Sequence, residues 1–301
     1  MTKYKPVFVI GMERSGTKWL ASILAQHPAI CAPYCPQGGV FEPNFDSLGV
    51  FFEDINPHDQ FIGLTELIIK TDFYKALKLP PDLPYTWASR PPNYIKFYGR
   101  LMEEYTKIHK GQYWVQKSGI PSVARLIEQY PDAHYITIRR NMIDNLKSKK
   151  AMALRENSCC QVFKMSIIYK IEYRQMVALK NQIKNFKEID FGILRSGETN
   201  KIREIHKMLN IEEREPQITH CGNKGHSSFR SDKERKRILS QLDLIKIRIG
   251  SIIGACIPLI IWRLYLAIRP KKNRPIVRGA FLDIANSYEY KYENKSLDNL
   301  N

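Results

Sequence analysis

The segment GMERSGTKW at residues 11–19 contains the residue types that bind an anion. It follows the apolar run 7–10, which is typical of a buried strand, and it enters a stretch with apolar residues at helical spacing, 19–24. A loop between a strand and a helix presents backbone N–H groups and the positive end of the helix dipole. The sequence therefore predicts a strand, an anion-binding loop and a helix.

The loop differs from that of enzymes that bind ATP or GTP. Their loop has Gly-Lys followed by Ser or Thr, with the lysine on the phosphates and the hydroxyl on magnesium. Here Gly16 is followed by Thr17, and Lys18 takes the position of the magnesium-binding hydroxyl. The next buried-type strand, 133–138, ends in two arginines rather than in a metal-binding aspartate. These differences disfavour a metal-dependent P-loop kinase, which remains the alternative enzyme.

A second candidate phosphate-binding segment follows the strand at 133–138. Arg140 stands at the end of this strand, where a guanidinium group can form paired hydrogen bonds with a phosphate. Ser148 comes eight residues later, about two turns along the predicted helix 142–154. Two phosphate-binding segments on separate strand–helix units suit a ligand that carries a phosphate at each end.

Together the two segments resemble the motifs of sulfotransferases that use 3′-phosphoadenosine 5′-phosphosulfate (PAPS). RSGTKWL at 14–20 resembles the 5′-phosphosulfate loop, and YPDA at 130–133, leading through the strand to Arg140 and Ser148, resembles the 3′-phosphate motif. KSGIP at 117–121 resembles the family's Lys-Ser/Thr-His-x-Pro segment. Asn223-Lys224-Gly225 resembles its late Lys-Gly loop, so the resemblance reaches about residue 225.

The resemblance implies a P-loop-like sulfotransferase fold, an α/β architecture with a central, mostly parallel sheet flanked by helices. It also implies PAPS as the cosubstrate, adenosine 3′,5′-bisphosphate as the product, and no metal. The implied nucleotide-binding residues are Arg14, Ser15, Gly16, Thr17, Lys18, Trp19, Arg140, Ser148, Lys224 and Gly225.

Two positions depart from the family pattern. Lys18 replaces a usual threonine, and Gly119 replaces the histidine that is the general base in the cytosolic branch. FEPNF at 41–45 resembles the glutamate-base segment of the carbohydrate-modifying branch, which makes Glu42 the expected general base. Arg14 and Lys117, assisted by Lys18, are expected to stabilise the charge on the departing phosphate.

The expected activity is therefore sulfuryl transfer to a hydroxyl group of a carbohydrate or another small acceptor, such as a secondary metabolite. A protein of a different class, which binds nucleic acid or an anionic surface without catalysis, is suggested by the net charge of +17 alone. No nucleic-acid partner is expected, because the sequence has no recognisable binding fold or aromatic–basic signature.

The remaining sequence supports an ordered α/β chain. With 44% hydrophobic residues the composition is globular, and strands separated by helices indicate a parallel sheet. The spacing predicts helices over 61–79, 94–109 and 162–184 and a strand over 188–194. The six cysteines match no disulfide framework or zinc pattern, and no secretory signal is visible, so a cytoplasmic location is expected.

The C-terminal part changes in character. We expect a sulfotransferase domain at 1–240 and, at 241–301, an apolar segment followed by a polar, basic tail. Residues 249–262 contain no charge but are shorter than the roughly 18 residues that span a membrane. Burial against the domain and peripheral membrane contact through 249–268 are the two open interpretations, and spanning is disfavoured.

Overall fold

The computed structural model describes residues 4–34, 40–41, 45, 52–155, 157–216 and 238–268. Within this part of the chain, five strands form one parallel sheet with helices on both faces, which confirms the predicted fold class.

The sheet places the ends of its strands along one edge. The strands are β1 (Lys5–Ile10), β2 (Ile30–Cys31), β3 (Tyr113–Ser118), β4 (His134–Arg139) and β5 (Asn185–Asp190), in the order β2-β3-β1-β4-β5. Every neighbouring pair is parallel, and Ile10 is in register with Ser118 and with Thr137. The segments that follow β1, β3 and β4 therefore leave the sheet side by side.

Helices connect the strands. In chain order the described α-helices are α1 (Thr17–Leu24), α2 (His58–Ile69), α3 (Asp72–Leu77), α4 (Tyr94–Ile108), α5 (Val123–Gln129), α6 (Met142–Arg155), α7 (Val162–Lys180), α8 (Phe191–Arg195), α9 (Asn200–Met208), α10 (Gln241–Cys256) and α11 (Leu259–Ile268). Short 3₁₀ turns lie at Leu83–Thr86 and Ile120–Ser122.

The central strand β1 shows why the sheet is covered on both sides. All its residues from Pro6 to Ile10 are buried. Phe8 and Ile10 face a core built with α2, α4, α5 and α7, whereas Val7 and Val9 face a second core built with α1 and α9. Because side chains alternate along a strand, an uninterrupted apolar run requires an apolar layer on each face.

Three predicted elements have other limits in the structure. The helix predicted over 162–184 ends at Lys180. The helical pattern over 61–79 is divided, because Thr71 caps a new helix by accepting a hydrogen bond from the backbone N–H of Tyr74. The predicted strand 188–194 is wrong beyond Asp190, whose side chain accepts a hydrogen bond from Gly192 N and starts α8. A side chain that satisfies the first N–H groups favours a helix over continued extension.

Candidate functional site

The β1–α1 loop has the backbone shape of an anion-binding turn. Arg14 and Gly16 both have left-handed φ angles, 68° and 100°. Ser15 closes the turn, because its backbone N–H and its hydroxyl both donate to the carbonyl of Met12, at 3.0 and 2.5 Å. Gly16 precedes α1 and provides no side chain to cap it, so the N-terminal end of α1 faces the loop.

The β4–α6 segment holds this loop in place. Arg140 donates from Nη1 to the carbonyl of Arg14 at 3.0 Å, and Asn145 donates from Nδ2 to the carbonyl of Glu13 at 2.8 Å. Lys149 adds an ion pair, with its Nζ 3.4 Å from Glu13 Oε2. Two consecutive loop carbonyls are thus fixed by side chains from the neighbouring strand–helix unit, which orders the loop without a ligand.

The two predicted phosphate-binding segments meet through their side chains. Arg14 donates from Nε to the hydroxyl oxygen of Ser148 at 3.4 Å, across 134 positions of sequence. Since Arg140 contacts the backbone of Arg14, the three residues form a continuous group, which we call the donor cluster: Arg14, Arg140 and Ser148. The structure therefore joins the two segments into one cationic surface.

Of the two arginines that end β4, only the second takes part in this cluster. Arg139 is 45% exposed and lies 3.5 and 3.9 Å from carboxylate oxygens of Glu188 and Asp190 on β5. A hydrogen bond with Tyr173 and these carboxylates raise the pKa of Arg139. Arg140 instead places its guanidinium carbon 4.5 Å from the centre of the Phe191 ring. The end of β4 thus separates Arg139, which forms a surface ion pair, from Arg140, which belongs to the donor cluster.

The sequence analysis did not identify Phe191, whose ring packs against residues of the site. Its ring packs under Arg140, lies 5.6 Å from the Trp19 ring, and would be 2.7 Å from a Cβ atom placed on Gly16. Three predicted site residues therefore rest on one aromatic side chain. The sequence signal for Phe191 was its position directly after β5. The strand predicted over 188–194 extended past this position, so Phe191 was not identified as a site residue.

Asn145 and Lys149 were also missed. Both lie on α6 between or beside the motif residues, at positions that a helix of 3.6 residues per turn brings toward the loop. Asp144, the neighbour of Asn145 on α6, is exposed and lies 3.9 Å from Lys147. The face of α6 that meets the loop therefore carries Asn145 and Ser148, and not Asp144.

Lys117 lies at the same edge of the sheet. It is the penultimate residue of β3, in register with Val9 of β1, and is half-buried. Its neighbour Gln116 donates from Nε2 to the carbonyl of Phe41 at 2.6 Å and accepts from the hydroxyl of Tyr98. The residue that precedes Glu42 is therefore attached beside Lys117.

The other predicted residues divide into two groups. Ser15 and Thr17 are buried, Gly16 and Trp19 are half-buried, and Lys18 is exposed on the first turn of α1. Glu42, Lys224 and Gly225 lie outside the described residues. The first group is assembled where β1 meets α1.

A cavity of about 310 Å³ opens beside Arg140 at the end of β4. Its walls include Tyr169 and Lys170 of α7 and Ser251 of α10. The hydroxyl of Tyr169 donates to the carbonyl of Arg140, and burial raises the pKa of this tyrosine to about 12, so it keeps its proton at neutral pH. The cavity therefore extends from Arg140 of the donor cluster toward α7 and α10.

Among the residues described, no group of three or more His, Cys, Asp or Glu side chains could hold a metal ion. The cysteines in this part of the chain, Cys31, Cys159, Cys160 and Cys256, are free thiols.

Comparison with known proteins places the loop in a family. Residues 6–50 match the model of the sulfotransferase family. This match covers β1, the loop and α1 and supports the predicted sulfotransferase family over this segment; it does not distinguish the glutamate-base branch from the histidine-base branch.

A search of curated proteins found no match. Solved structures with a similar chain path include a sulfotransferase from Alicyclobacillus acidocaldarius, with 18% identity over 85% of this chain and 98% of that chain and a TM-score of 0.45. The sulfotransferase domain of the Synechococcus PCC 7002 olefin synthase has 16% identity over 86% and 98%, with a TM-score of 0.49. A sulfotransferase domain from the curacin biosynthetic pathway has 13% identity over 95% and 98%, with a TM-score of 0.45. Similarity at this level identifies neither substrate nor catalytic residues.

Proposed function

We propose that this chain is a sulfotransferase, which transfers a sulfuryl group from PAPS to a hydroxyl group of an acceptor. The observation that carries this proposal is the donor cluster, in which Arg14 of the β1–α1 loop contacts Ser148 of α6 while Arg140 holds the loop. The expected product is adenosine 3′,5′-bisphosphate.

The chemistry of the donor set fits a ligand with two phosphate groups. Two guanidinium groups, one hydroxyl and the N-terminal end of α1 all offer hydrogen-bond donors or positive charge. The cavity beside Arg140 adds space next to these donors. We assign the α1 end of the site to the 5′-phosphosulfate and the pair Arg140 and Ser148 to the 3′-phosphate.

The transfer step follows from the charges at the sheet edge. The acceptor oxygen attacks sulfur and forms the new S–O bond, while the bond between sulfur and the bridging phosphate oxygen breaks. Its electron pair stays on the departing phosphate. Arg14 and Lys117, with Lys18 assisting, would stabilise this growing negative charge, since fixed cations at a partly buried site need no reorganisation during the reaction.

Glu42 is proposed as the base that removes the acceptor hydroxyl proton. Its chain neighbour Phe41 is bonded to Gln116, the residue before Lys117, which supports a base near the leaving group. A carboxylate within hydrogen-bond reach of the hydroxyl is suited to this proton transfer. A carbohydrate is the preferred acceptor class because of the resemblance of the segment 41–45, and a secondary metabolite is the second.

Isothermal titration calorimetry tests the proposal. Adenosine 3′,5′-bisphosphate should bind in the presence of a metal chelator, and ATP with Mg²⁺ should bind at least about tenfold more weakly, a difference of about 1.4 kcal/mol. Arg203→Ala is the control, because this arginine of α9 forms an exposed ion pair with Glu215. Preference for ATP with Mg²⁺ would contradict the proposal and favour the P-loop kinase.

Transfer itself is measured with PAPS labelled in the sulfuryl group and a panel of hydroxyl acceptors. Labelled product together with one equivalent of adenosine 3′,5′-bisphosphate is the expected result. Tight binding of the bisphosphate with no transfer to any acceptor, and no slow PAPS hydrolysis, would contradict catalysis while leaving nucleotide binding in place.

A further inference from the structure

Helix α10 packs its small residues against the rest of the protein. A Cβ atom on Gly250 would lie 2.0 Å from Ser166 Oγ and 2.9 Å from the carbonyl of Phe163, both on α7. A Cβ atom on Gly254 would lie 2.7 Å from the carbonyl of Ile167. The two glycines therefore allow the backbones of α10 and α7 to approach closely.

Most of the large apolar residues of α10 point the other way, whereas Ile247 is buried. They recur every three or four residues, and the turn into α11 continues them. We call this set the apolar face: Leu242, Ile245, Ile249, Ile252, Ile253, Ile260, Ile261, Leu264 and Tyr265, all of them exposed. Ile252 is 66% exposed and Ile260 is 61% exposed. A helix in a water-soluble protein normally turns such residues inward, so this arrangement is reversed.

Polar contacts hold the reversed arrangement in place. Arg174 of α7 donates from Nη1 to the carbonyls of Gly254 and Ile257, at 3.0 and 2.6 Å, at the C-terminal end of α10. At the other end, Lys150 of α6 lies 2.6 Å from Asp243, which also completes a capping box with Ser240. Because both ends are fixed to α6 and α7, α10 is held with its isoleucines outward.

The two helices, which we call the elbow, have the shape of an element that lies on a surface. In the described chain, no single helix is long and apolar enough to cross a membrane; α10 and residues 259–265 meet that test only together, and they are bent by 97°. With a bend of this size the two helices do not continue along one axis, as a straight spanning helix would.

The charges beside the apolar face identify its partner. Lys246, Arg248 and Arg263 are exposed next to it, and the sequence continues with Arg269, Lys271, Lys272 and Arg274. Basic residues beside an apolar face attract anionic lipid headgroups. A second copy of the chain would instead bring the same cations together, on a protein with a net charge of +17.

We infer that the elbow binds the surface of an anionic membrane, with the apolar face at the boundary between headgroups and acyl chains. This inference goes beyond the proposed function. Ser251 of α10 lines the cavity beside Arg140, so membrane attachment at the elbow fixes the orientation of the candidate site relative to the lipid surface.

Vesicle flotation of the full chain tests the inference. The wild-type protein should float with phosphatidylcholine vesicles that contain phosphatidylglycerol, less with phosphatidylcholine alone, and less at high salt. The double substitution Ile252→Glu with Ile260→Glu should reduce the partition coefficient at least about tenfold, because each isoleucine buries apolar area on the membrane. Ile108→Glu, at a 57% exposed position at the end of α4, is the matched control and should float like wild type.

A second readout locates the contact. Trp262 lies between the exposed residues of α11 and stacks on Tyr265, with ring centres 5.3 Å apart. Lipids brominated in the upper acyl chain should quench its fluorescence, and Trp262→Phe should remove that quenching.

Failure to float with anionic vesicles would overturn the inference, as would equal loss in the double variant and in Ile108→Glu. A dimer detected by light scattering that the double variant abolishes, without vesicle binding, would assign the apolar face to a second copy. No nucleotide or acceptor is present in these assays, so their failure would leave the proposed sulfuryl transfer untouched.

Discussion

The phosphate loop and the elbow both depend on glycine, with opposite consequences. At Gly16 a left-handed backbone brings hydrogen-bond donors together next to the aromatic ring of Phe191. At Gly250 and Gly254 the helix stays regular, and the missing side chains let α10 approach α7. Gly16 therefore contributes to a polar site, whereas Gly250 and Gly254 leave the apolar face of α10 exposed.

The two regions are fastened by the same type of bond. Arg140 binds a carbonyl of the loop, and Arg174 binds two carbonyls of the elbow. In both regions the backbone carbonyls have no helical hydrogen-bond partner. A guanidinium group that donates hydrogen bonds to these carbonyls fixes the segment. The difference therefore lies in what each segment presents to its surroundings: cations and donors at the loop, isoleucines at the elbow.

The largest expected effect is a fall in turnover that leaves nucleotide binding and membrane binding unchanged. If Glu42 removes the acceptor proton, Glu42→Gln should lower kcat by roughly 10²–10⁴-fold, since the amide keeps the shape and loses the basicity. Its affinity for adenosine 3′,5′-bisphosphate and its vesicle binding should stay within about twofold of wild type. Steady-state kinetics with a competent acceptor measures this.

Glu53→Gln is the control, because Glu53 is exposed and lies 3.9 Å from Arg125. Wild-type turnover in Glu42→Gln would show that another group is the base.

A smaller effect is expected from the loop glycine. Gly16→Ala should destabilise the protein by about 1–3 kcal/mol, because the new Cβ meets a left-handed backbone and the Phe191 ring. Nucleotide affinity should fall with it, and vesicle binding should not. The same change at Gly63, a position on α2 with open space around it, should raise stability by up to about 1 kcal/mol. Urea unfolding measures both, and equal destabilisation at the two positions would contradict the account of the loop.

The smallest effect concerns the elbow's anchor. The hydrogen bond from Lys150 lowers the pKa of Asp243 to about 2. Removing this charge by Asp243→Asn should raise hydrogen exchange in α10 by about tenfold, the size of one charge-assisted hydrogen bond, and leave nucleotide binding unchanged.

The pH dependence has a definite sign. The aspartate titrates near pH 4 when unfolded and lower when folded, so its stabilisation is complete above about pH 4 and is lost as the pH falls toward 2. The two loop hydrogen bonds from Arg140 and Asn145 end on backbone carbonyls and involve no carboxylate. Thermal unfolding followed by circular dichroism should therefore show the Asp243→Asn and wild-type proteins converging below pH 4. A constant difference down to pH 2 would contradict this assignment.

Much of the fold could be predicted from the sequence because the strands are buried on both faces. The run at 7–10 is continuously apolar and the run at 133–138 is mostly apolar, and such runs admit few alternatives to parallel strands. The error at 188–194 arose where a local cap, Asp190 to Gly192, ended the strand against its apolar pattern. Local hydrogen bonds of this kind are weak signals in a sequence.

The candidate site was predictable in its motif residues and not in their contacts. The spacing from Arg140 to Ser148 brought Ser148 to the correct face of α6, but the contact with Arg14 depends on the sheet order. Phe191 and Asn145 belong to no motif, because their roles arise from where β5 and α6 end and begin in space. The reversed polarity of α10 was equally hidden, since apolar content alone does not show which face is outward.

Arg140 provides the most direct test of the central claim, that the donor cluster recognises the two phosphates of the PAPS nucleotide. Calorimetry should compare adenosine 3′,5′-bisphosphate with adenosine 5′-phosphate on wild type, Arg140→Ala and the control Arg203→Ala. Arg140→Ala should weaken the bisphosphate by roughly 10–100-fold, the loss of a charge-assisted hydrogen bond of about 1.5–3 kcal/mol, and the monophosphate by much less. Equal weakening of both nucleotides, or none, would contradict the assignment of Arg140 to the 3′-phosphate.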